Sequence, residues 1–290
     1  MASNSTADPV GLIGTGLFGT AIAERLLVAG YSVRVHNRTR ANADRLLELG
    51  AQWSDNPLQE CRRVIFCLFT TEQVADFVDA RHSSLASEQI LLDTSTSDPT
   101  QAVELGERLA RSHVRYLESP FSGSSEQARN RQATALVAGD KAAFESCGDL
   151  WQNLAAATFY LGGWGNAAKM KLATNLVLGL NRAALAEGLV FAEAAGLSKG
   201  DALNVLLNSP AYSRTMDAKG PKMVRGDFTP QARLSQHIKD VRLMLDEVAG
   251  SGTRLPMSSV HLQLLEEAEA AGLGELDNSA VIRAITDRKQ

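Results

Sequence analysis

Short runs of Val, Ile, Leu and Phe, four to six residues long, recur through the first half of the chain at 9–13, 31–36, 63–68, 89–93, 114–118, 134–138 and 158–161. Runs this short and this apolar suit strands buried on both faces of a parallel sheet. Stretches of helical period lie between several of them, at 17–29, 40–49, 71–79, 100–112 and 141–154. Strand and helix in alternation predict a doubly wound α/β domain.

The pattern changes after Gly162-Gly163-Trp164-Gly165. A proline-free helix is expected from residue 166 to about 195, roughly 45 Å long at 1.5 Å per residue. Its middle is apolar on nearly every side, which predicts burial among other helices. Further helices are expected at 199–207, 231–249, 258–271 and 279–287, and no strand after Leu161. The predicted architecture is therefore α/β: a Rossmann-type doubly wound parallel sheet over 1–163, joined by the long helix to an all-α domain over 164–290. No internal repeat is present.

Composition narrows the partners. In 290 residues, 44% are hydrophobic, 21% are charged and the net charge is −4. A chain without a broad cationic field is not expected to bind nucleic acid or an anionic membrane surface. The longest apolar segment, 172–197, is broken by Asn175, Asn181, Arg182, Glu187 and Glu193, so no membrane span is expected. The N-terminal residues lack the pattern of a secretory signal. Cys61, Cys67 and Cys147 are odd in number and lack metal-ligand spacing, which fits buried, reduced thiols in a cytoplasmic protein. Histidines 36, 82, 113, 237 and 261 are scattered, and no catalytic metal is expected.

Gly14, Gly16 and Gly19 stand in the spacing G-x-G-x-x-G, after a predicted strand and at the start of a predicted helix. That context reads as a dinucleotide site. Gly14 permits the tight turn, Gly16 lets backbone approach a pyrophosphate, and Gly19 lets the helix pack closely. Amides around Leu17 and Phe18 face the phosphates at the positive end of the helix. At the end of the second strand, where an NAD site usually carries Asp or Glu, the chain has Asn37, Arg38 and Thr39. A guanidinium attracts a ribose 2′-phosphate and a carboxylate repels it, so NADPH is expected to be preferred over NADH.

Four further segments come in order: Asp93-Thr94-Ser95-Thr96-Ser97-Asp98-Pro99, Glu118-Ser119-Pro120-Phe121-Ser122-Gly123-Ser124, GNAAKMKLATN over 165–175, and His237-Ile238-Lys239-Asp240. Together with the glycine motif they resemble the β-hydroxyacid dehydrogenase family. The resemblance runs from Val10 to about Ile285. The 165–175 stretch and DNSAVIRAI over 277–285 look closest to its glyoxylate/succinic semialdehyde reductase branch.

The resemblance implies a lysine general acid/base with an asparagine four residues later. Lys171 and Asn175 have that spacing and share a helix face. Lys169 is turned about 200° from Lys171 at 100° per residue, so it is expected to stay outside the pocket. The family's carboxylate-binding turn corresponds to Ser122, Gly123 and Ser124. Glu118, Ser119, Phe121 and Ser124 depart from its usual Asp-Ala-Pro-Val-Ser-Gly-Gly, with consequences for pocket size. Thr96 corresponds to a threonine near the nicotinamide and substrate, although Thr96, Ser97 or Asp98 could equally cap a helix at Pro99. Lys239 corresponds to a lysine that reaches the cofactor, and Asp240 is expected to hold Lys239 or Lys171. Leu68 either lines the adenosine side or packs in the core.

These features together predict an NADPH-dependent reductase of a small aldehyde or keto acid, with substrate beside Lys171 in the cleft joining the domains, in a homodimer or homotetramer. The substrates that share the required carboxylate and carbonyl are glyoxylate and the succinic, tartronate and methylmalonate semialdehydes. Two alternatives differ in kind. An imine reductase shares the glycine loop and the Asn-Arg-Thr segment but usually lacks the lysine. A non-catalytic NADP-binding regulator needs no lysine.

Overall fold

The apolar runs assemble into one sheet whose faces are separated by side-chain parity. The computed structural model describes residues 8–96 and 98–286. Its strands are β1 (Val10–Ile13), β2 (Val33–His36), β3 (Gln52–Trp53), β4 (Arg63–Phe66), β5 (Ile90–Asp93), β6 (Arg115–Glu118), β7 (Phe121–Ser122), β8 (Thr134–Gly139) and β9 (Ala157–Tyr160). They lie in the order β3-β2-β1-β4-β5-β6-β8-β7, with β9 beside β8. The first six are parallel in the doubly wound order 3-2-1-4-5-6.

The sheet is mostly rather than wholly parallel, since β8 runs antiparallel to β6 and β7. The helix between β7 and β8 has only five residues, Ser125–Arg129. That is too little for a crossover that would return the chain to the opposite end of the sheet.

The remaining helices of this part are α1 (Leu17–Val28), α2 (Asp44–Glu48), α3 (Pro57–Glu60), α4 (Thr71–Asp79), α5 (Pro99–Arg111), the five-residue α6 just given, α7 (Lys141–Ser146) and α8 (Gly148–Leu154). Two predicted helices are subdivided. A 3-10 turn, Arg40–Ala43, precedes α2, and 141–154 breaks between Cys147 and Gly148. Leu12, Ile65 and Leu92 pack in one core with α1, while Ile13, Val64, Phe66 and Leu91 face the other, as the two-residue period of a strand requires.

The long helix α9 (Asn166–Ala194) comes next, then α10 (Lys199–Leu207), α11 (Arg214–Arg225), α12 (Leu234–Val248), α13 (Pro256–Ala268) and α14 (Ile282–Thr286). The predicted 279–287 helix is a 3-10 turn, Asn278–Val281, leading into α14; Asp287 lies outside the described residues. Among the described residues no strand occurs after β9. The chain divides into two compact units, 1–171 and 172–290, so the division falls within α9.

Burial of α9 on every side is not what the structure shows. Leu172, Leu185, Ala186 and Leu189 enter the core of the second unit, whereas Val177, Leu178 and Phe191 are exposed. By length and composition alone α9 is long and apolar enough to cross a membrane, a test that a core helix also passes. Those interruptions include Arg182, which is buried in the second unit.

Candidate active site

The parallel strands end together. Ile13, Phe66, Asp93 and Glu118 are successive register partners across β1, β4, β5 and β6, so the segments after them emerge at one edge of the sheet. This is the edge where open α/β sheets bind ligands.

The first emerging segment is the glycine loop. Gly14 has φ +99°, and a Cβ there would stand 2.4 Å from the Cys67 carbonyl oxygen. A Cβ on Gly19 would stand 1.9 Å from the Gly14 carbonyl oxygen, so α1 packs against its own loop only because residue 19 has no side chain. Gly16 differs: a Cβ there would meet nothing within 4 Å. Gly16 is also the N-cap of α1 and supplies no side-chain cap, while Leu17 is exposed. An open cradle at a helix N-terminus without a side-chain cap fits the pyrophosphate of a dinucleotide.

The end of β2 braces this loop. Thr15 N–H donates to Asn37 Oδ1 at 3.1 Å, and Asn37 Nδ2 donates to the Thr39 carbonyl at 2.9 Å. Arg38 and Thr39 are exposed beside it. Leu68 packs on the core, and its Cδ2 would lie 3.0 Å from a Cβ on Gly14.

Asp93 organises the next segment. Its side chain accepts hydrogen bonds from Thr71 Oγ1 at 2.8 Å, Ser95 N–H at 2.8 Å, Ser95 Oγ at 2.6 Å and Tyr116 OH at 2.9 Å. Thr94 Oγ1 donates to the Phe66 carbonyl at 2.8 Å. These bonds fix the backbone that presents half-buried Thr96. The cap of α5 is Asp98, which accepts from Thr100 N–H at 2.8 Å, so Thr96 does not have that task; Ser97 lies outside the described residues.

Lys171 meets, within the first unit, the residue that precedes the Ser-Gly-Ser turn. Its Nζ donates to the Phe121 carbonyl at 2.7 Å. The Phe121 ring points elsewhere: it is buried in the sheet core, 5.4 Å from the Phe18 ring. The bulk added at this position is thus taken up by core packing. Ser122 is the next residue on β7, and a Cβ on Gly123 would come within 2.8 Å of Ala133 Cβ. Ser124 forms a capping box on α6: its hydroxyl accepts from Gln127 N–H at 3.2 Å, and Gln127 Oε1 accepts from its amide at 2.8 Å. Both polar groups of Ser124 thereby have partners inside the turn.

Glu118 has a role that its sequence does not announce. It is buried at the end of β6 and accepts from the amides of Gly165 and Ala168, the latter at 3.0 Å. Desolvation raises its carboxyl to about 7 against the opposing pull of those two amides. No local pattern connects positions so far apart in the chain. Lys169, two residues before Lys171, is exposed.

In the second unit, Asn175 Nδ2 donates to Asp240 Oδ2 at 3.0 Å. Lys239 is exposed and Asp240 is buried. Arg182 is buried in the field of Asp277 and Asp240, and desolvation brings its guanidinium down to about 10. His237 and His261 lie with ring centroids 5.2 Å apart, and a Cβ on Gly179 would stand 2.6 Å from His237 Nε2. No cluster of three or more metal-type ligands occurs among the described residues.

Two family models match end to end. The model for the NAD binding domain of 6-phosphogluconate dehydrogenase covers residues 9–162, and that for the NAD-binding region of NADP-dependent 3-hydroxyisobutyrate dehydrogenase covers 165–285. The chain belongs to the β-hydroxyacid dehydrogenase family. Like other β-hydroxyacid dehydrogenases it is an NAD(P)-dependent oxidoreductase of the class acting on CH–OH donors. It is 33% identical to glyoxylate/succinic semialdehyde reductase 1 of Arabidopsis thaliana, over 95% of this chain and 98% of that protein. It is 32% identical to the cytokine-like nuclear factor N-PAC of Drosophila melanogaster, over 93% of this chain but only 46% of that longer protein. A solved structure described as Psf3 in complex with NADP+ and 2-OPP superposes with a TM-score of 0.88 at 27% identity, covering 95% of this chain and 99% of the other.

Proposed function

We propose that this β-hydroxyacid dehydrogenase is an NADPH-dependent reductase of a small aldehyde or keto acid, with Lys171 as its general acid/base. The observation that carries the proposal is the Lys171 Nζ–Phe121 carbonyl bond of 2.7 Å, which sets an ammonium donor beside Ser122. The 33% identity to a glyoxylate/succinic semialdehyde reductase supports this substrate class.

A bound nicotinamide dinucleotide supplies the hydride. The glycine loop, with Leu17 and Phe18 at its helical end, holds the pyrophosphate. Arg38, exposed beside Asn37 and Thr39, favours a 2′-phosphate, and the NADP+ complex of a structural relative supports that preference. Thr96, Leu68 and Lys239 complete the proposed cofactor contacts. The Ser122 hydroxyl and the Gly123 amide hold the substrate carboxylate. As negative charge grows on the substrate carbonyl oxygen, Lys171 stabilises it and then donates its proton to that oxygen. In oxidation, neutral Lys171 takes the hydroxyl proton. Asn175, one helical turn on, orients the reacting group, itself held by Asp240.

The same reading has the protein working in the cytoplasm as a homodimer or homotetramer. Exposed Val177, Leu178 and Phe191 on α9 support the oligomer.

The test is NADPH oxidation with glyoxylate and with succinic, tartronate and methylmalonate semialdehydes, alongside Lys171→Ala. Turnover on at least one of the four is expected, and the variant should lose about 10²-fold or more in kcat with NADPH affinity intact. Near-normal turnover in Lys171→Ala defeats the assignment.

A further inference from the structure

The buried carboxylate of Glu118 holds two amides of the segment that opens α9: Oε1 accepts from Gly165 N–H and Oε2 from Ala168 N–H. Lys171 lies three residues after Ala168, less than one turn further along. Strand β6 makes a second contact with the same segment. Trp164 Nε1 donates to the Tyr116 carbonyl at 3.0 Å, and the indole sits so close that a Cβ on Gly106 would stand 2.4 Å from its Cδ2. The start of the lysine-bearing helix is therefore fastened to the strand that also leads into the Ser-Gly-Ser turn. One fastening is an indole and the other is ionisable.

We infer that Glu118 is a positioning residue, whose ionised carboxylate bridges Gly165 and Ala168 and through them sets where Lys171 stands, and whose protonation loosens that turn. The inference rests on the reading of Lys171 as the acid/base group. An ionised carboxylate accepts on both oxygens, whereas a protonated one turns one oxygen into a donor that faces an N–H. Bonds from helix N-terminal amides to a charged acceptor are also stronger than those to a neutral one. The charged and titratable groups around Glu118 are Asp93 on β5, Tyr116 on β6 and Lys169 on α9. Asp93 disfavours its charge and Lys169 favours it, but burial is the largest influence and brings the carboxyl to about 7. The bridge is thus exchanged for its weaker form close to neutrality.

The experiment combines amide resonances with kinetics on the full chain. In protein labelled with 15N-glycine and 15N-alanine, the Gly165 and Ala168 signals are expected to titrate together with a midpoint near 7. Glu118→Gln should abolish that titration, lower kcat about tenfold through misplacement of the lysine, and remove the matching inflection from the kcat–pH profile. Its NADPH affinity should stay within about twofold, since no pyrophosphate contact changes. Glu118→Asp, which keeps the charge, should recover a titrating profile. The wild-type resonances serve as the test if Glu118→Gln does not fold. Signals that ignore pH in the wild type, or a Glu118→Gln enzyme with wild-type kcat and profile, overturn the inference. If Lys171→Ala turns over normally while the amides titrate, the acid/base reading has failed and the Glu118 bridge has not.

Discussion

Asp93 and Glu118 are register partners at the carboxyl ends of β5 and β6. Both are buried, and each gathers donors from a different part of the site. Asp93 takes Thr71, Ser95 and Tyr116, and so shapes the segment bearing Thr96. Glu118 takes the opening amides of α9, and so shapes the approach to Lys171. Two acidic side chains this close in an interior persist because their oxygens are satisfied by hydrogen bonds.

Asp93→Asn should expose this dependence. The amide keeps the volume but turns one acceptor into a donor that faces other donors. A loss of about 2–4 kcal/mol is expected, against about 1 kcal/mol for Tyr116→Phe, which removes a single bond. Urea unfolding of the two variants measures the gap, and equal losses would contradict the hub role of Asp93.

Two glycines of one loop should fail in different ways. Gly19→Ala sets a methyl 1.9 Å from the Gly14 carbonyl oxygen, which should cost about 1–3 kcal/mol of stability along with NADPH affinity. Gly16→Ala meets no protein atom within 4 Å, so its melting temperature should stay at the wild-type value while NADPH affinity falls. Thermal melts with and without NADPH separate the cases; undiminished affinity in Gly16→Ala would remove the pyrophosphate from this cradle.

Arg38→Asp should lower the ratio of kcat/KM for NADPH over NADH by about 10- to 100-fold, the range of a charge-assisted hydrogen bond. Steady-state kinetics with both cofactors decides it, and an unchanged ratio would mean that Arg38 is a surface charge at a strand end.

Acid should weaken the second unit through its histidines. Burial, with Arg182 nearby, brings His261 down to about 4 and His237 well below the ordinary imidazole range. Between the unfolded value of about 6.5 and about 4, the unfolded chain holds a proton that folded His261 refuses. Its stabilising contribution is complete above that window and is lost as pH falls through it, on the order of 3 kcal/mol in all. Glu118 acts in the opposite sense, because its folded value lies above its unfolded one: its contribution is complete at low pH and is lost as pH rises through about 7. Urea midpoints from pH 4 to 8 should show a shallower acid slope in His261→Gln than in the wild type.

Features with a local cause are legible in the residues. The glycine loop, α4 and the extent of α9 come from spacing and periodicity over a few turns. Strands β3 and β7, with two residues each, are too short to show a period. Helix α11 is not among the expected helices; it carries Pro221 in its interior, and Gly220 is the point where the side chain of Leu203 lies against it. The inward direction of the Phe121 ring, the exposed flank of α9 and the bridge from Glu118 depend on neighbours distant in the chain. Residue type marks Glu118 as a departure from a family pattern, and only the fold gives it a task.

The partner of Lys171 at position 121 is a main-chain oxygen, and every amino acid carries one. Exchange of the phenylalanine for another residue can retune the packing against Phe18 without deleting the lysine's anchor. What the anchor does require is the two-residue ladder between β7 and β8, Phe121 with Ala135 and Ser122 with Thr134. Insertions or deletions in the loop around α6, rather than replacements on the strand, are therefore the changes that would carry the ammonium away from its turn.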